Sequence, residues 1–189
     1  MLIFLRNVKK LALFVRRRLV LCVVNMLAAP PEVSLIRRLR CILMRLIGSK
    51  IGAGSQLSEG RYVYDGRRFR AGANMSLGSF CRIWDFCPIT VGDNLLASHG
   101  LTMISGTHFV DLERTTREGP ISIGDNVWIG INVTIVGPST IGDNVIVGAN
   151  SLVLGDLESG CIYGGSPARL IRRTDTGARS QGRADVAVV

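Results

Sequence analysis

Aliphatic residues recur every six positions through the second half of the chain, at Ile123, Ile129, Ile135, Ile141, Val147 and Val153. The same interval runs upstream through Val91, Ala97 and Met103. A period of six fits neither an amphipathic helix, which repeats about every 3.6 residues, nor one long strand, which alternates every two. It fits a short strand followed by a short turn, repeated along the chain.

Each repeat has a second apolar or small residue two positions before the first. The pairs are Val127/Ile129, Val133/Ile135, Ser139/Ile141, Val145/Val147 and Ser151/Val153. Residues two apart in a strand point to the same side, so both members of each pair are predicted to face a shared interior. Stacking such coils about 4.8 Å apart gives a parallel β-helix with a continuous aliphatic core. An ordinary sandwich is disfavoured, because its turns do not recur at constant spacing.

The repeat is less regular towards the N-terminus and is interrupted once by a charged stretch. It runs through Ile51, Leu57, Val63, Phe69 and Met75, with two-residue shifts at Leu77 and Ile89. Residues 109–120 carry charges and a Gly-Pro pair, and a polar insertion between coils must leave the column as a surface loop. These features predict a β-helix domain over residues 51–173 with a protruding loop at 109–120. Residues 174–189 lack the repeat and are predicted to be a disordered tail.

The positive charge of the chain is concentrated at its N-terminus. The 189 residues carry a net charge of +9; residues 1–50 hold eleven Lys/Arg and one acidic residue, whereas residues 51–189 hold twelve and thirteen. Nucleic acid is a poor candidate partner, because this basic segment is apolar and lacks residues that read bases. The longest apolar run, residues 19–29, is too short to span a bilayer, which takes about 20 residues.

Residues 33–47 are predicted to form an amphipathic helix within an N-terminal helical extension over residues 1–50. Its apolar stripe consists of Leu35, Ile36, Leu39, Ile42, Leu43, Leu46 and Ile47. The stripe suits a cap on the open end of the β-helix. The segment also suits peripheral contact with an anionic membrane through residues 1–48, since each basic residue near such a surface contributes about 1 kcal/mol. The sequence leaves both interpretations open.

The cysteines and histidines limit the kinds of site that the chain can form. Five cysteines without CxxC spacing argue against a disulfide framework or a zinc knuckle. Of the two histidines, His99 lies in a predicted turn, where a structural role is the simpler interpretation. His108 lies between two inward positions, so it is predicted to point outward just before the loop. An imidazole there is a candidate proton acceptor at neutral pH, and a solvated surface residue is the alternative.

Several motifs in residues 89–173 carry a family resemblance. They are Ile-Thr-Val-Gly-Asp-Asn at 89–94, Gly-Thr-His at 106–108, Gly-Pro-Ile-Ser-Ile-Gly-Asp-Asn-Val-Trp-Ile-Gly at 119–130, Ile-Gly-Asp-Asn-Val-Ile-Val-Gly-Ala-Asn-Ser at 141–151, and Gly-Gly-Ser-Pro-Ala-Arg at 164–169. This stretch resembles the hexapeptide-repeat acetyltransferases of the maltose, galactoside and capsule O-acetyltransferase type. The resemblance implies a mainly β fold, a left-handed parallel β-helix, assembled as a homotrimer. It also implies that acetyl-CoA lies between two columns and that no metal takes part.

The resemblance implies a role for individual residues. His108 would be the general base, and Trp128 a wall for the pantetheine arm of CoA. The pantetheine amides would bind backbone at Gly130, Ile131, Ala149, Asn150 and Ser151, with Arg169 and Arg172 near the CoA phosphates. An asparagine that holds the acceptor in galactoside-type members is absent near Phe80. Asn74 and Asp85 are therefore the candidate acceptor-binding residues.

The function expected from this resemblance is transfer of acetyl from acetyl-CoA to a saccharide hydroxyl, in cell-envelope or exopolysaccharide synthesis. The expected location is the cytoplasm, with contact to the inner face of the membrane. Alternatives are a transferase of the same fold acting on serine, an antibiotic or an amino sugar, and a non-catalytic solenoid. A zinc carbonic anhydrase of this fold needs three imidazole ligands, and the chain has two histidines.

Overall fold

The structure of the protein is a computed structural model that describes residues 13–23, 34–60, 62–108, 113 and 116–174. Within these ranges residues 13–23 form a helix (α1) and Ser34–Leu46 forms a second helix (α2). The predicted tail beyond residue 174, and residues 109–112 and 114–115 of the predicted loop at 109–120, lie outside the described residues.

Short strands follow the helices. In chain order they are β1 (Lys50–Ile51), β2 (Gln56–Leu57), β3 (Tyr62–Val63), β4 (Phe69–Ala71), β5 (Ser76–Leu77), β6 (Arg82–Trp84), β7 (Ile89–Val91), β8 (Leu96–Ala97), β9 (Thr102–Ile104), β10 (Thr107–His108), β11 (Thr116–Arg117), β12 (Ile121–Ile123), β13 (Trp128–Ile129), β14 (Thr134–Val136), β15 (Ser139–Ile141), β16 (Ile146–Val147), β17 (Leu152–Leu154), β18 (Cys161–Gly164) and β19 (Arg169–Arg173).

The strands of successive coils stack into three faces of a column. The first sheet has the order β1-β4-β7-β12-β15, the second β19-β18-β16-β13-β8-β5-β2, and the third β17-β14-β9-β6-β3. All neighbours in these sheets pair in parallel except β18 and β19. The predicted fold class, a mainly β parallel β-helix with an N-terminal helical extension, is confirmed.

The core is the aliphatic column that the repeat predicted. Every predicted inward pair from Val127/Ile129 to Ser151/Val153 is buried. Backbone pairing places Leu77, Ala97, Ile129 and Val147 in one stacked row, so each coil satisfies its backbone polar groups on the next.

The irregular part of the repeat differs from the prediction in phase. Arg70 pairs with both Lys50 and Thr90, so these coils are 20 residues long, whereas Ser122 and Thr140 define a coil of 18. The two extra residues lie at the corner after the third strand, at residues 64–68 and 84–88. The shift predicted at Leu77 was therefore misplaced, because the extra residues come before Phe69, whereas the shift predicted at Ile89 falls at the end of the second enlarged corner.

Helix α2 closes the N-terminal end of the column. Its buried face carries Cys41, Met44 and Arg40, and Arg40 Nη1 donates to the Leu57 carbonyl oxygen at 3.1 Å. The prediction of a cap is right, but the stripe assigned to it is partly wrong, because Leu35, Leu39, Ile42 and Leu46 are exposed. Helix α2 instead turns Arg40, Cys41 and Met44 towards the first coil, where Arg40 finds a backbone acceptor.

Helix α1 is attached through Arg17 and through Leu21, which is buried in the core. Arg17 forms an ion pair with the Asp65 carboxylate, and its Nε and Nη2 donate to the Asp65 carbonyl oxygen at 3.1 and 2.9 Å. Neither helix, over the residues that the structure describes, is long and apolar enough to cross a membrane.

Candidate active site

His108 lies where the chain leaves the column. It belongs to β10, which pairs antiparallel with β11, so that Thr107 faces Arg117 and His108 faces Thr116. The histidine is exposed, in agreement with the predicted outward orientation. This hairpin projects between the third and fourth coils and places the imidazole beside the column.

A cavity of about 500 Å³ opens next to the imidazole. Its lining residues come from the hairpin and from the corner that precedes β7: Phe86, Cys87, Ile104, Gly106, Thr107, His108, Thr116, Arg117 and Glu118. Gly106 has a φ of +139°, and a Cβ added there would lie 3.3 Å from the Cβ of Phe86. A glycine is therefore required where the chain turns from the column into the hairpin.

Ser105 braces the floor of this cavity. It is fully buried, and its Oγ lies 2.8 Å from the carbonyl oxygens of both Trp84 and Cys87 and accepts from the Cys87 N–H at 3.0 Å. The hydroxyl thereby ties the base of the hairpin to the corner that carries Phe86. Sequence reasoning missed Ser105 and Phe86, because neither residue belongs to the six-residue repeat.

The residues predicted to bind CoA form a second group, on the second sheet. Trp128 is 39% exposed on β13 and pairs with Ile146; Ile146 pairs with Ile162, and Ile162 with Arg172. Trp128 and Arg172 thus belong to one row, separated by three strand spacings, or about 14 Å at about 4.8 Å each. Arg169 is exposed on the same strand as Arg172.

The predicted backbone contacts lie at one corner of two successive coils. Gly130 donates its N–H to the Val147 carbonyl oxygen at 2.8 Å, and Asn150 donates to the Ile131 carbonyl oxygen at 2.8 Å. A Cβ on Gly130 would lie 2.6 Å from the Ala149 nitrogen, so this corner requires glycine. Ser151 is buried and donates to the Gly148 carbonyl oxygen at 2.6 Å, so its hydroxyl serves the fold.

His108 and the CoA-side group lie at different corners of one column. The imidazole follows the third sheet, whereas Trp128, Gly130 and Arg172 belong to the second sheet and its end. A single chain therefore does not bring the two groups together around one ligand.

The two candidate acceptor residues, Asp85 and Asn74, both make hydrogen bonds within the column. Asp85 is fully buried, and its carboxylate accepts backbone hydrogen bonds from Asp65 and Gly66 at 2.8 Å and from Arg68 at 3.2 Å. Burial raises the pKa of this carboxyl, and the hydrogen bonds oppose that shift. In the single chain this carboxylate therefore faces backbone N–H groups and is not exposed on the surface.

Asn74 belongs to a ladder of turn residues. Its Nδ2 donates to Asn94 Oδ1 at 3.1 Å, and Asn94 Nδ2 donates to Asn126 Oδ1 at 3.0 Å. All three asparagines have positive φ, and they lie at the corner between the first and second sheets. The ladder stabilises that corner, which is not the corner next to His108.

His99 is also a turn residue. Its Nδ1 accepts from the Ser79 N–H at 3.1 Å. In the described part of the chain, no group of three or more His, Cys, Asp or Glu side chains is arranged to hold a metal ion.

Comparisons with known proteins agree with the fold. A family model described as bacterial transferase hexapeptide (six repeats) matches residues 120–155. A hexapeptide-repeat acetyltransferase from Vibrio cholerae, solved with acetyl-CoA, is 30% identical with a TM-score of 0.75, over 86% of this chain and 87% of its own. A galactoside acetyltransferase solved with CoA is 30% identical with a TM-score of 0.74, over 84% and 79%.

A curated relative from Dictyostelium discoideum, assigned provisionally to the acetyltransferases, is 45% identical over 92 residues, 47% of this chain and 48% of the relative. The chain spans about half the length of the curated relatives it matches. Fold and repeat define a parallel β-helix of the transferase hexapeptide class. Within that class, the chain belongs to the family of hexapeptide-repeat acetyltransferases.

Proposed function

We propose that the protein transfers acetyl from acetyl-CoA to a hydroxyl of a saccharide, with His108 as general base. The observation that carries this proposal is an exposed imidazole that lines a cavity, next to a corner whose backbone Ser105 holds in place. The Vibrio cholerae relative was solved with acetyl-CoA, and two similar structures are a galactoside acetyltransferase and a maltose O-acetyltransferase.

The proposed chemistry is direct transfer. The His108 imidazole takes the proton of the acceptor hydroxyl while the hydroxyl oxygen attacks the thioester carbonyl carbon, forming the new C–O bond. The tetrahedral species then expels CoA as the C–S bond breaks, and the imidazolium returns its proton to the thiolate. The thioester is already activated, so this scheme needs neither a covalent enzyme intermediate nor a metal.

The donor is proposed to lie along the row from Trp128 to Arg172. The indole and the Gly130 corner suit the pantetheine arm, and Arg169 and Arg172 suit phosphates, because guanidinium groups match phosphate geometry. The span of about 14 Å along this row suits an extended ligand with a charged end.

Because His108 and the predicted CoA-binding residues lie apart on one column, a complete site requires more than one copy of the chain. We propose a homotrimer in which the His108 cavity of one column faces the Trp128 row of the next, so that each pair of columns completes one site. Exposed apolar residues on the second and third sheets, including Leu96 and Leu154, support an association of columns.

Peripheral membrane contact is proposed for the helices. The exposed apolar residues of α2 lie beside Arg38 and Arg45, and those of α1 lie beside Arg16 and Arg18. Apolar groups flanked by cations suit the surface of an anionic bilayer. The proposed setting is the cytoplasmic side of the membrane, during synthesis of envelope polysaccharide.

The test is His108→Ala in a CoA-release assay against sugars, nucleotide sugars and lipid-linked oligosaccharides, with serine and chloramphenicol as other acceptor classes. Loss of a general base should lower kcat by about 10²–10⁴-fold. Acetyl-CoA binding by calorimetry and the unfolding midpoint should change little. His99→Ala is the matched control and should retain turnover; unchanged turnover in His108→Ala would reject the assignment.

A further inference from the structure

Four aromatic side chains form one continuous surface on the outside of the third sheet. The members of this aromatic cluster are Tyr62, Tyr64, Trp84 and Phe86. Ring centroids are 4.8 Å apart for Tyr62 and Trp84, and 4.4 Å apart for Tyr64 and Phe86. Trp84 stacks on Tyr64 at 6.1 Å and on Phe86 at 6.0 Å.

The aromatic cluster is not part of the core. The inward residues of the same strands, Val63 and Ile83, fill the interior of the column. Tyr62 remains 39% exposed and Phe86 42% exposed, while Tyr64 and Trp84 are half-buried. Contiguous exposed apolar groups often mark interaction sites, which makes the cluster a candidate binding surface.

The cluster is continuous with the His108 cavity. Phe86 belongs to both, and Trp84 pairs with Ile104, which also lines the cavity. Ser105 holds the backbone of Trp84 and Cys87 in place. The aromatic surface thus begins at the cavity wall and continues away from the imidazole towards Tyr62.

Polar groups border the rings. Arg82 is exposed on β6 and pairs with Tyr62, and Arg68 Nη1 donates to the Phe86 carbonyl oxygen at 2.6 Å. Sugar rings present an apolar face of C–H groups, which packs on flat aromatic rings, and a rim of hydroxyls, which bonds to arginine and tyrosine. A cluster of rings with arginines at its border provides both kinds of contact.

We infer that the aromatic cluster binds the sugar rings that adjoin the ring being acetylated, so that the acceptor is a glycan of at least two rings. The two ring-to-ring steps from Phe86 to Trp84 and on to Tyr62 measure 6.0 and 4.8 Å. They extend the surface beyond the space that one sugar in the cavity would occupy. This inference rests on the proposed function, because it assumes that acetyl transfer occurs beside His108.

The test compares acceptors of increasing length. Glucose, maltose and maltotriose form one series of probes, and galactose and lactose a second. Ligand-observed NMR titration gives binding, and CoA release gives KM and kcat. For the wild type, the step from one ring to two should lower Kd and KM by about three- to tenfold, the range expected for one aromatic contact.

Tyr62→Ala and Trp84→Ala should remove the gain in affinity that the second sugar ring gives. The Kd and KM for single sugars and for acetyl-CoA should stay unchanged. Tyr62 lies at the exposed end of the cluster, so its variant remains informative if Trp84→Ala folds poorly. Phe14→Ala, which removes an exposed aromatic ring from α1, is the matched control and should keep the gain.

Three results would overturn the inference. They are equal affinity for single sugars and longer probes, a retained length dependence in both variants, and no binding of any probe. Dissociation of the assembly in Tyr62→Ala, seen by sedimentation, would assign the cluster to a contact between copies instead. Failure of the proposed function is distinguishable, because His108→Ala would then keep its turnover while the length dependence of binding persisted.

Discussion

Replacing Asp85 with alanine tests whether this residue serves the fold or the acceptor. The substitution removes the only carboxylate that the backbone N–H groups of Asp65, Gly66 and Arg68 share. These three residues form the enlarged corner between β3 and β4, and Arg17 from α1 docks on Asp65. Loss of the carboxylate should therefore loosen the corner and the attachment of α1 together.

The expected cost follows from the burial of each donor. The bonds from Asp65 and Gly66 are buried, so each stranded N–H costs about 1–3 kcal/mol. The Arg68 bond is partly exposed, and water can replace the lost acceptor there. Removal of a desolvated carboxylate offsets part of the loss, since burial raises its pKa. The free energy of unfolding should fall by about 2–4 kcal/mol.

The measurement is urea unfolding of wild type and Asp85→Ala at one protein concentration. Asp93→Ala is the matched control, because the Asp93 carboxylate accepts a single exposed hydrogen bond, from the Ala73 N–H at 2.7 Å. The control should lose less than about 1 kcal/mol. Equal stabilities of Asp85→Ala and wild type, with a raised KM for the acceptor, would refute this reasoning and restore the acceptor role.

Two further predictions concern the donor and the membrane. Arg169→Ala combined with Arg172→Ala should raise KM for acetyl-CoA about tenfold and change kcat little, because charged contacts to phosphate are lost in ground and transition states alike. Arg173→Ala is the control, since Arg173 pairs with Glu158 at 2.8 Å; an equal effect there would contradict the assignment. Deleting residues 1–29 should move the protein from membrane pellet to supernatant, and unchanged fractionation would exclude that contact.

The regular half of the fold could be read from the sequence because its signal is local. From Ile121 onwards each inward residue lies six positions from the next, and burial follows that spacing without exception up to Val153. The same regularity placed Trp128 outward. The alignment of Trp128 with Arg172 across the second sheet could not be foreseen, because β19 pairs antiparallel with β18 after an irregular turn.

The candidate acceptor side could not be derived in this way, because it depends on the length of each coil. With coils of 20 residues Asp85 reaches the corner at Asp65, and Tyr62 pairs with Arg82. A regular coil of 18 would place Tyr62 beside Phe80 instead. An error of two residues in the length of a coil therefore changes which residues are neighbours in adjacent coils. It also changes the role assigned to Asp85.

The cavity lies where the chain departs from the six-residue repeat. Phe86 and Cys87 come from an enlarged corner, residues 84–88, and the remaining lining residues come from β9, its exit and the inserted hairpin. The regular coils carry the candidate donor row on a flat sheet, along which an extended ligand can lie. We infer that acceptor choice resides in the irregular corners, since these can change in length and sequence while the aliphatic column remains intact.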